Sequence, residues 1–187
     1  GFSLWQKKLK TRRVYQNRNI IGVSQYVVSD LKRSFAIQPK HERIIFNPFD
    51  FDTVRTAAMQ PCEMAGEPYL IHVGRFHQTK RHDRLLRAYA KTGISAPLVL
   101  IGQGTDEAVG KIKKLALTLG IQDRVIFKGF TSNPYPWIRN AKLLVVSSDS
   151  EGFGNVLVEA LICQVPVVST RCPGGPVSIM TGELARG

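Results

Sequence analysis

No apolar run in the 187 residues approaches the roughly 20 that a membrane-spanning helix needs, so no segment reads as a transmembrane helix. Cysteine is scarce. Cys62, Cys163 and Cys172 have neither metal-ligand spacing nor an even count, which argues against a disulfide scaffold and predicts free thiols in a reducing compartment. Cys163 sits in an apolar stretch and reads as core packing. Also missing is the Gly-x-Gly-x-x-Gly of a nicotinamide-binding unit, because Gly74-Arg75-Phe76-His77-Gln78-Thr79 stands where it would be expected. There is no low-complexity segment, and no repeat beyond a strand–helix period. A secretory signal is not visible. The chain opens on Gly1-Phe2-Ser3 rather than Met, which predicts a piece of a longer protein.

Acidic residues are also few, 14 against 26 Lys and Arg, leaving a net charge of +12. The deficit is concentrated at the front. Lys7, Lys8, Lys10, Arg12, Arg13, Arg18, Lys32, Arg33, Lys40 and Arg43 face only Asp30 and Glu42 in residues 1–43. Such a patch attracts an anionic membrane surface, nucleic acid or phosphorylated substrates. A solvated helix face is the equal alternative. No nucleic-acid-binding motif accompanies the charge, so nucleic acid is not an expected partner.

What is present is a regular alternation. Residues 4–18 and 25–35 read as helices, and 20–24 and 43–46 as short strands, the second stopped by Asn47-Pro48. Residues 50–59 read as a connector, with a domain boundary at Gln60-Pro61 and Gly66-Glu67-Pro68. Strands are then expected at 69–73, 98–101, 125–127, 143–146 and 165–169. Between them lie helices at 80–91, 106–119, 135–140 and 155–163. Leu85, Leu86 and Tyr89 are predicted to point inward, and Ile112, Leu115, Ala116 and Leu119 keep a helical apolar spacing. β-Branched runs alternating with amphipathic helices predict parallel strands covered on both faces, an open doubly wound α/β sheet. Ligands of such sheets bind outside the carboxyl ends of the strands, so the chemistry is sought in loops 74–80, 102–105, 128–133, 147–154 and 170–176.

Loop 147–154 carries the strongest signal. An apolar strand runs into Ser148-Asp149-Ser150-Glu151-Gly152-Phe153-Gly154-Asn155, and a helix follows. Glycines allow close backbone approach, and a helix start offers unpaired N–H groups and partial positive charge, so a phosphate fits there. The Gly-x-Gly by itself also fits a plain tight turn. Glu151 and Glu159 add carboxylates able to accept hydrogen bonds from vicinal sugar hydroxyls. Glu159, read as early in the helix, also has a simple dipole explanation, and a hydrolytic carboxylate pair stays open. Arg75 and Lys80 flank the loop after the first strand of the sheet, where Arg can grip a diphosphate bidentately and Lys adds a mobile charge. Two surface cations are the bland alternative. His72 and His77 read as structural. Gly102-Gln103-Gly104 and Lys128-Gly129-Phe130 can line the same crevice, with Phe130 either against a base or in the core. Cys172-Pro173-Gly174-Gly175-Pro176 reads as a rigid turn.

Together these motifs resemble the Glu-x7-Glu signature of family-4 retaining glycosyltransferases, Glu151 to Glu159 with Gly152-Phe153-Gly154-Asn155 between. Ile21-Gly22-Val23-Ser24, Ile45-Phe46-Asn47-Pro48, Gly74-Arg75-Phe76 with Lys80, Gly102-Gln103-Gly104 and Gly174-Gly175-Pro176 fall in the family's order. Arg81 stands where the family often has Gly, and Ser178 where many members have Glu. The resemblance implies a GT-B fold. Residues 1–57 would be the tail of an N-terminal acceptor domain and its linker, and 66–187 a Rossmann-like donor-binding domain, incomplete at its end. It implies that Glu159 binds the nucleotide ribose and Glu151 the donor sugar. Arg75 and Lys80 would hold the leaving diphosphate. Backbone at Gly152, Phe153, Gly154 and Asn155 would touch sugar and phosphate, and Phe130 and Gly104 would border the site.

The expected activity is retaining transfer from a nucleotide sugar, a UDP-sugar foremost, to a glycan or lipid-linked acceptor of surface polysaccharide or lipopolysaccharide. No metal is expected. The expected setting is the cytoplasm, with the basic front segment suiting the cytoplasmic face of an inner membrane. Lacking the acceptor domain, the 187 residues alone are expected to bind donor weakly and not turn over. A polyanion-binding module and another GT-B enzyme, such as a nucleotide-sugar epimerase or a phosphorylase, are the rival readings.

Overall fold

The computed structural model of the chain describes residues 4–182; the ends of the two expected domain spans, 1–3 and 183–187, lie outside them. The chain divides into two compact units. One comprises the chain up to Pro48, the strip Glu151–Gly154 and the chain from Pro173 onward; the other comprises Phe49–Ser150 and Asn155–Cys172.

The first unit begins with helix α1 (Leu4–Tyr15), strand β1 (Asn19–Gly22), helix α2 (Gln25–Phe35) and strand β2 (His41–Ile44). β1 and β2 pair in parallel, Asn19 opposite His41 and Gly22 opposite Ile44. Ser24 starts α2, its hydroxyl accepting from the Val27 N–H. The helix ends where Ala36 turns left-handed. Ile20, Val28 and Ile37 are buried among the described residues of this stretch.

In the second unit, helix α3 (Phe51–Ala57) is followed by β3 (Leu70–Val73), α4 (His82–Thr92), β4 (Leu98–Ile101), α5 (Asp106–Thr118), β5 (Val125–Gly129), α6 (Tyr135–Asn140), β6 (Leu143–Val146), α7 (Asn155–Ile162) and β7 (Val167–Ser169). The short helix α8 (Gly175–Met180) belongs to the first unit. Strands β3 to β7 form one parallel sheet in the order β5-β4-β3-β6-β7. The chain winds outward from β3 through β4 to β5, then crosses back to β6 and winds the other way. Right-handed crossovers therefore put α4 and α5 on one face and α7 on the other. The expected doubly wound sheet is the observed one.

All four residues of β4 are buried, as a central parallel strand requires. Leu85, Leu86 and Tyr89 of α4 point inward as expected and pack with Phe76, Leu98, Leu100, Ala116, Ile121 and Val125. Ile112, Leu115 and Leu119 are only partly buried against that cluster.

Two elements depart from the sequence reading. Residues 51–57, expected within a connector, form α3, because Asp50 caps it twice: its carboxylate accepts from the Thr53 N–H at 3.0 Å and from the Thr53 hydroxyl at 2.7 Å. The Gly174-Gly175-Pro176 turn opens into α8, since proline fits the first helical turn, where its missing N–H costs nothing.

Candidate functional site

Reversal of winding makes the gap between β3 and β6 the switch point of the sheet, and ligands of open α/β sheets bind outside the strand ends there. β3 and β6 pair only at Leu70–Leu143 and Ile71–Leu144 before they part. Beyond that, the buried His72 imidazole fills the gap, its Nδ1–H donating to the Val145 carbonyl at 2.8 Å. His72 also meets His82 edge-on at 4.6 Å, and His82 lies flat on Phe76 at 4.4 Å. Burial, then the nearby His72 and Lys80, push the His82 imidazole down to about 3. His77 accepts from the Thr79 N–H and shapes the one-turn helix Gln78–Lys80. His72 is thus a buried packing residue, whereas His77 is an exposed one at the start of that turn.

The loops that leave β3 and β6 are laced together. The Asp149 N–H donates to the Thr79 carbonyl at 2.8 Å, and the Ser147 hydroxyl to the Lys80 carbonyl at 2.7 Å. Arg81 adopts φ +50, a left-handed conformation that costs a non-glycine residue about 1 kcal/mol. That explains why glycine suits this position. Here the guanidinium offsets the strain with bidentate contacts to Asp83, at 2.9 and 3.0 Å, and contacts to Asp149 at 3.2 Å. Arg84 reaches the same Asp149 at 2.6 Å and the Ser147 carbonyl at 3.0 Å. The pull of burial raises the Asp149 carboxyl, but hydrogen bonds from Arg84 and Arg81 outweigh it and hold the group below its ordinary range.

Six of the expected site residues belong to this unit: Arg75, Lys80, Gly104, Phe130, Asn155 and Glu159. Arg75 and Phe130 come together. With Gly74, Gly102, Gln103 and Pro134 they line a hollow of about 250 Å³ at the ends of β3, β4 and β5. Phe130 is 68% exposed, so of its two expected settings the core is excluded. The Lys80 stem runs past Gly74. Gly104 serves packing, because a Cβ there would stand 2.5 Å from that of the buried Phe76.

Asn155 opens α7 and is exposed. Glu159 is the fifth residue of α7, beyond its first turn, so the expected help from the helix dipole does not apply. Burial instead pushes its carboxyl above the usual range, and its charge is felt by Tyr135 and Cys163. A half-buried carboxylate of this kind gains from hydroxyl donors that replace lost water. Cys163 is half-buried rather than fully in the core.

Glu151, Gly152, Phe153 and Gly154 belong to the other unit. Their strip is held by backbone against the start of α8. The Glu151 N–H donates to the Pro173 carbonyl at 3.0 Å, and that of Gly175 to the Gly152 carbonyl at 3.3 Å. A Cβ at Gly174, where φ is +121, would stand 1.6 Å from the Glu151 carbonyl oxygen. Phe153 is buried with its ring 5.7 Å from that of Phe46. The Ser24 hydroxyl, which caps α2, also donates to the Gly152 carbonyl at 2.8 Å. Ser24 was read as a strand end; its place just before a helical apolar pattern was the available signal. Arg84 and Asp149 left no such local signal. Among the described residues, no group of three His, Cys, Asp or Glu is placed to hold a metal ion.

The doubly wound sheet with its switch point belongs to a class, the fold of GT-B glycosyltransferases. The structure of Anabaena HepE in complex with UDP and glucose superposes with a TM-score of 0.78 at 23% identity, over 95% of this chain and 51% of that one. The lipopolysaccharide outer core galactosyltransferase WaaB superposes with a TM-score of 0.68 at 28% identity, over 95% and 49%. Residues 59–185 match the family of group 1 glycosyl transferases, and the chain belongs to that family. Its sequence is 34% identical over 158 residues to the N-acetylgalactosamine-N,N'-diacetylbacillosaminyl-diphospho-undecaprenol 4-alpha-N-acetylgalactosaminyltransferase of Campylobacter jejuni. That match takes in 83% of this chain and 42% of the relative, so the chain spans less than half the length of that curated protein.

Proposed function

We propose that the whole protein transfers a sugar from a UDP-sugar, with retention of anomeric configuration, to a glycan or lipid-linked acceptor in surface polysaccharide or lipopolysaccharide synthesis. The observation that carries the donor side is the hollow bearing Arg75 and Phe130 next to a Lys80 loop pinned at the switch point. HepE was crystallised with UDP, WaaB is titled a lipopolysaccharide galactosyltransferase, and the Campylobacter relative is named for a diphospho-undecaprenol acceptor.

In this reading Phe130 offers its exposed ring to the base, and Glu159 accepts from the ribose hydroxyls. Arg75 and Lys80 neutralise the diphosphate as it leaves, so fixed cations take the place of a metal ion. Glu151 and the backbone at Gly152, Phe153, Gly154 and Asn155 serve the donor sugar, a role resting on the Glu-x7-Glu signature. Attack comes on the face the diphosphate leaves. The 187-residue chain alone binds donor weakly and does not turn over.

Titration calorimetry of the full-length protein with UDP, GDP and ADP, in EDTA, tests the reading. One diphosphate binds, and Glu159→Gln weakens it about tenfold or more. Equal, weak and steeply salt-dependent binding of all three would support a polyanion-binding module instead.

We also propose that α1 rests on an anionic membrane surface at the cytoplasmic face. Trp5 is 70% exposed beside exposed Lys8, Lys10, Arg12 and Arg13, the pairing of apolar and basic side chains that interfacial helices use. Co-sedimentation of the full-length protein with phosphatidylglycerol vesicles but not phosphatidylcholine vesicles is the expected result; equal partition would remove the idea.

A further inference from the structure

One residue, Asp149, grips both neighbours of Lys80. Its backbone N–H donates to the carbonyl of Thr79 on one side, and its carboxylate pairs with Arg81 on the other. Arg84 completes the arrangement, bonding to the Asp149 carboxylate and to the Ser147 carbonyl. Ser147 in turn bonds to the carbonyl of Lys80 itself, whose N–H donates to His77. The β6 loop is anchored on its far side as well: the Thr170 hydroxyl donates to the Ser148 carbonyl at 2.7 Å. The contacts of Ser147, Asp149, Arg81 and Arg84 span the gap where β3 and β6 have stopped pairing, and they join residues 63 to 70 positions apart.

We propose that Asp149, Arg81 and Arg84 form a positioning latch that holds Lys80 over the switch point and so sets how tightly the site grips a nucleoside diphosphate. The proposal rests on the donor reading above. It treats the two arginines as structural cations rather than phosphate ligands. Their guanidinium groups are committed to Asp149 and Asp83, so the phosphate-binding charge at this end of the loop is carried by Lys80, with Arg75 at its start. A carboxylate held by two guanidiniums is rigid in a way that one flexible pair is not, because each contact removes freedom the next would otherwise have to remove. A positioned cation binds an anion more tightly than a loose one, since less ordering is left to do on binding.

The test is calorimetric titration of the full-length protein with UDP, in EDTA, using Asp149→Asn, Lys80→Ala and the double variant. Asp149→Asn is expected to weaken UDP about tenfold. Because it acts through Lys80, the double variant should bind no more than about twofold worse than Lys80→Ala. Asp149→Glu, which keeps the charge, should recover most of the affinity. Hydrogen exchange without ligand gives a second readout: in Asp149→Asn the amides of Asp149 and Lys80 exchange about tenfold faster, while those of β4 are unchanged.

Additive losses, or unchanged or tighter UDP binding in Asp149→Asn, overturn the latch and leave the donor reading standing. Tighter binding would mean that the freed arginines are phosphate ligands after all. If UDP binds and Lys80→Ala is silent, the latch and the role of Lys80 fall together. If the unmodified protein binds none of UDP, GDP and ADP, the donor reading fails and the latch fails with it. Should Asp149→Asn not fold, Arg84→Gln removes the shortest arm and carries the same expectations.

Discussion

Two loop systems at strand ends are built in opposite ways. In one unit, the Glu151–Gly154 strip is held by backbone against Pro173–Gly175, with no space for a side chain at Gly174. In the other, the loops after β3 and β6 are joined by charged side chains, two arginines on Asp149. The first kind of contact is all-or-none, because a Cβ cannot be placed inside a neighbouring carbonyl. The second is graded, because exposed ion pairs respond to charge and pH and tolerate conservative exchange. A group that must present backbone to a ligand suits the first design, and one that must place a mobile cation suits the second.

The sharpest way to break this contrast is at Gly174. Gly174→Ala meets the Glu151 carbonyl at 1.6 Å and adopts a strained φ, so the chain must move. A loss of about 3 kcal/mol or more in chemical denaturation is expected. A wild-type midpoint in that variant would show that the strip is not rigid.

The next effect is a pH dependence at the base of the charged loops. His82 is 3% exposed, its Nε2 has no hydrogen-bond partner among the described residues, and its pKa is pushed from the ordinary 6.5 down to about 3. The unfolded chain therefore takes this proton first. The stability His82 allows is complete above about pH 6.5 and is lost as pH falls toward 3, by up to about 1.4 kcal/mol per pH unit. His82→Phe keeps the stack on Phe76 without the titration. Urea midpoints measured between pH 7 and 4.5 should fall less steeply in this variant than in the parent; parallel curves would put the acid sensitivity elsewhere.

The smallest effect separates stability from binding. Glu159 has a raised pKa, so the folded chain holds its proton better than the unfolded one. Its stabilising contribution exists below the ordinary carboxylate range and is lost as pH rises through the raised value. At neutral pH the carboxylate is then a small cost. Glu159→Gln should raise the melting temperature slightly at pH 7 while it weakens UDP, the trade expected of a group kept for binding. A variant that both melts lower and binds worse would mark Glu159 as a structural residue.

Much of the element pattern in both units is legible in the sequence. α2, β4, α6 and β6 lie where the apolar spacing puts them, and other boundaries moved by a few residues. α3 was missed because seven residues hold too few apolar repeats, and its Asp50 cap follows an Asn47-Pro48 stop that reads as a loop. α8 was hidden by glycines that serve close backbone packing as well as turning. Arg75 and Phe130 line one hollow, and their place within two residues of a strand end is what the sequence shows of it. The helix carrying Glu159 starts at Asn155 as expected, but that makes Glu159 its fifth residue, beyond the reach of the dipole, and a half-buried acid rather than a dipole partner.

Sequence by itself determined the fold class and the alternation of the five sheet strands with the helices between them. Those depend on periodicity and capping, which act over a few residues. Only the tertiary structure decided that Asp149 holds Arg81 and Arg84, that Ser24 reaches Gly152, and that Gly174 has no space. Those contacts join positions 65, 68 and 128 apart in the chain, or set one backbone against another. Such pairings leave no period in the sequence, because their geometry exists only after each unit has folded and brought distant segments together.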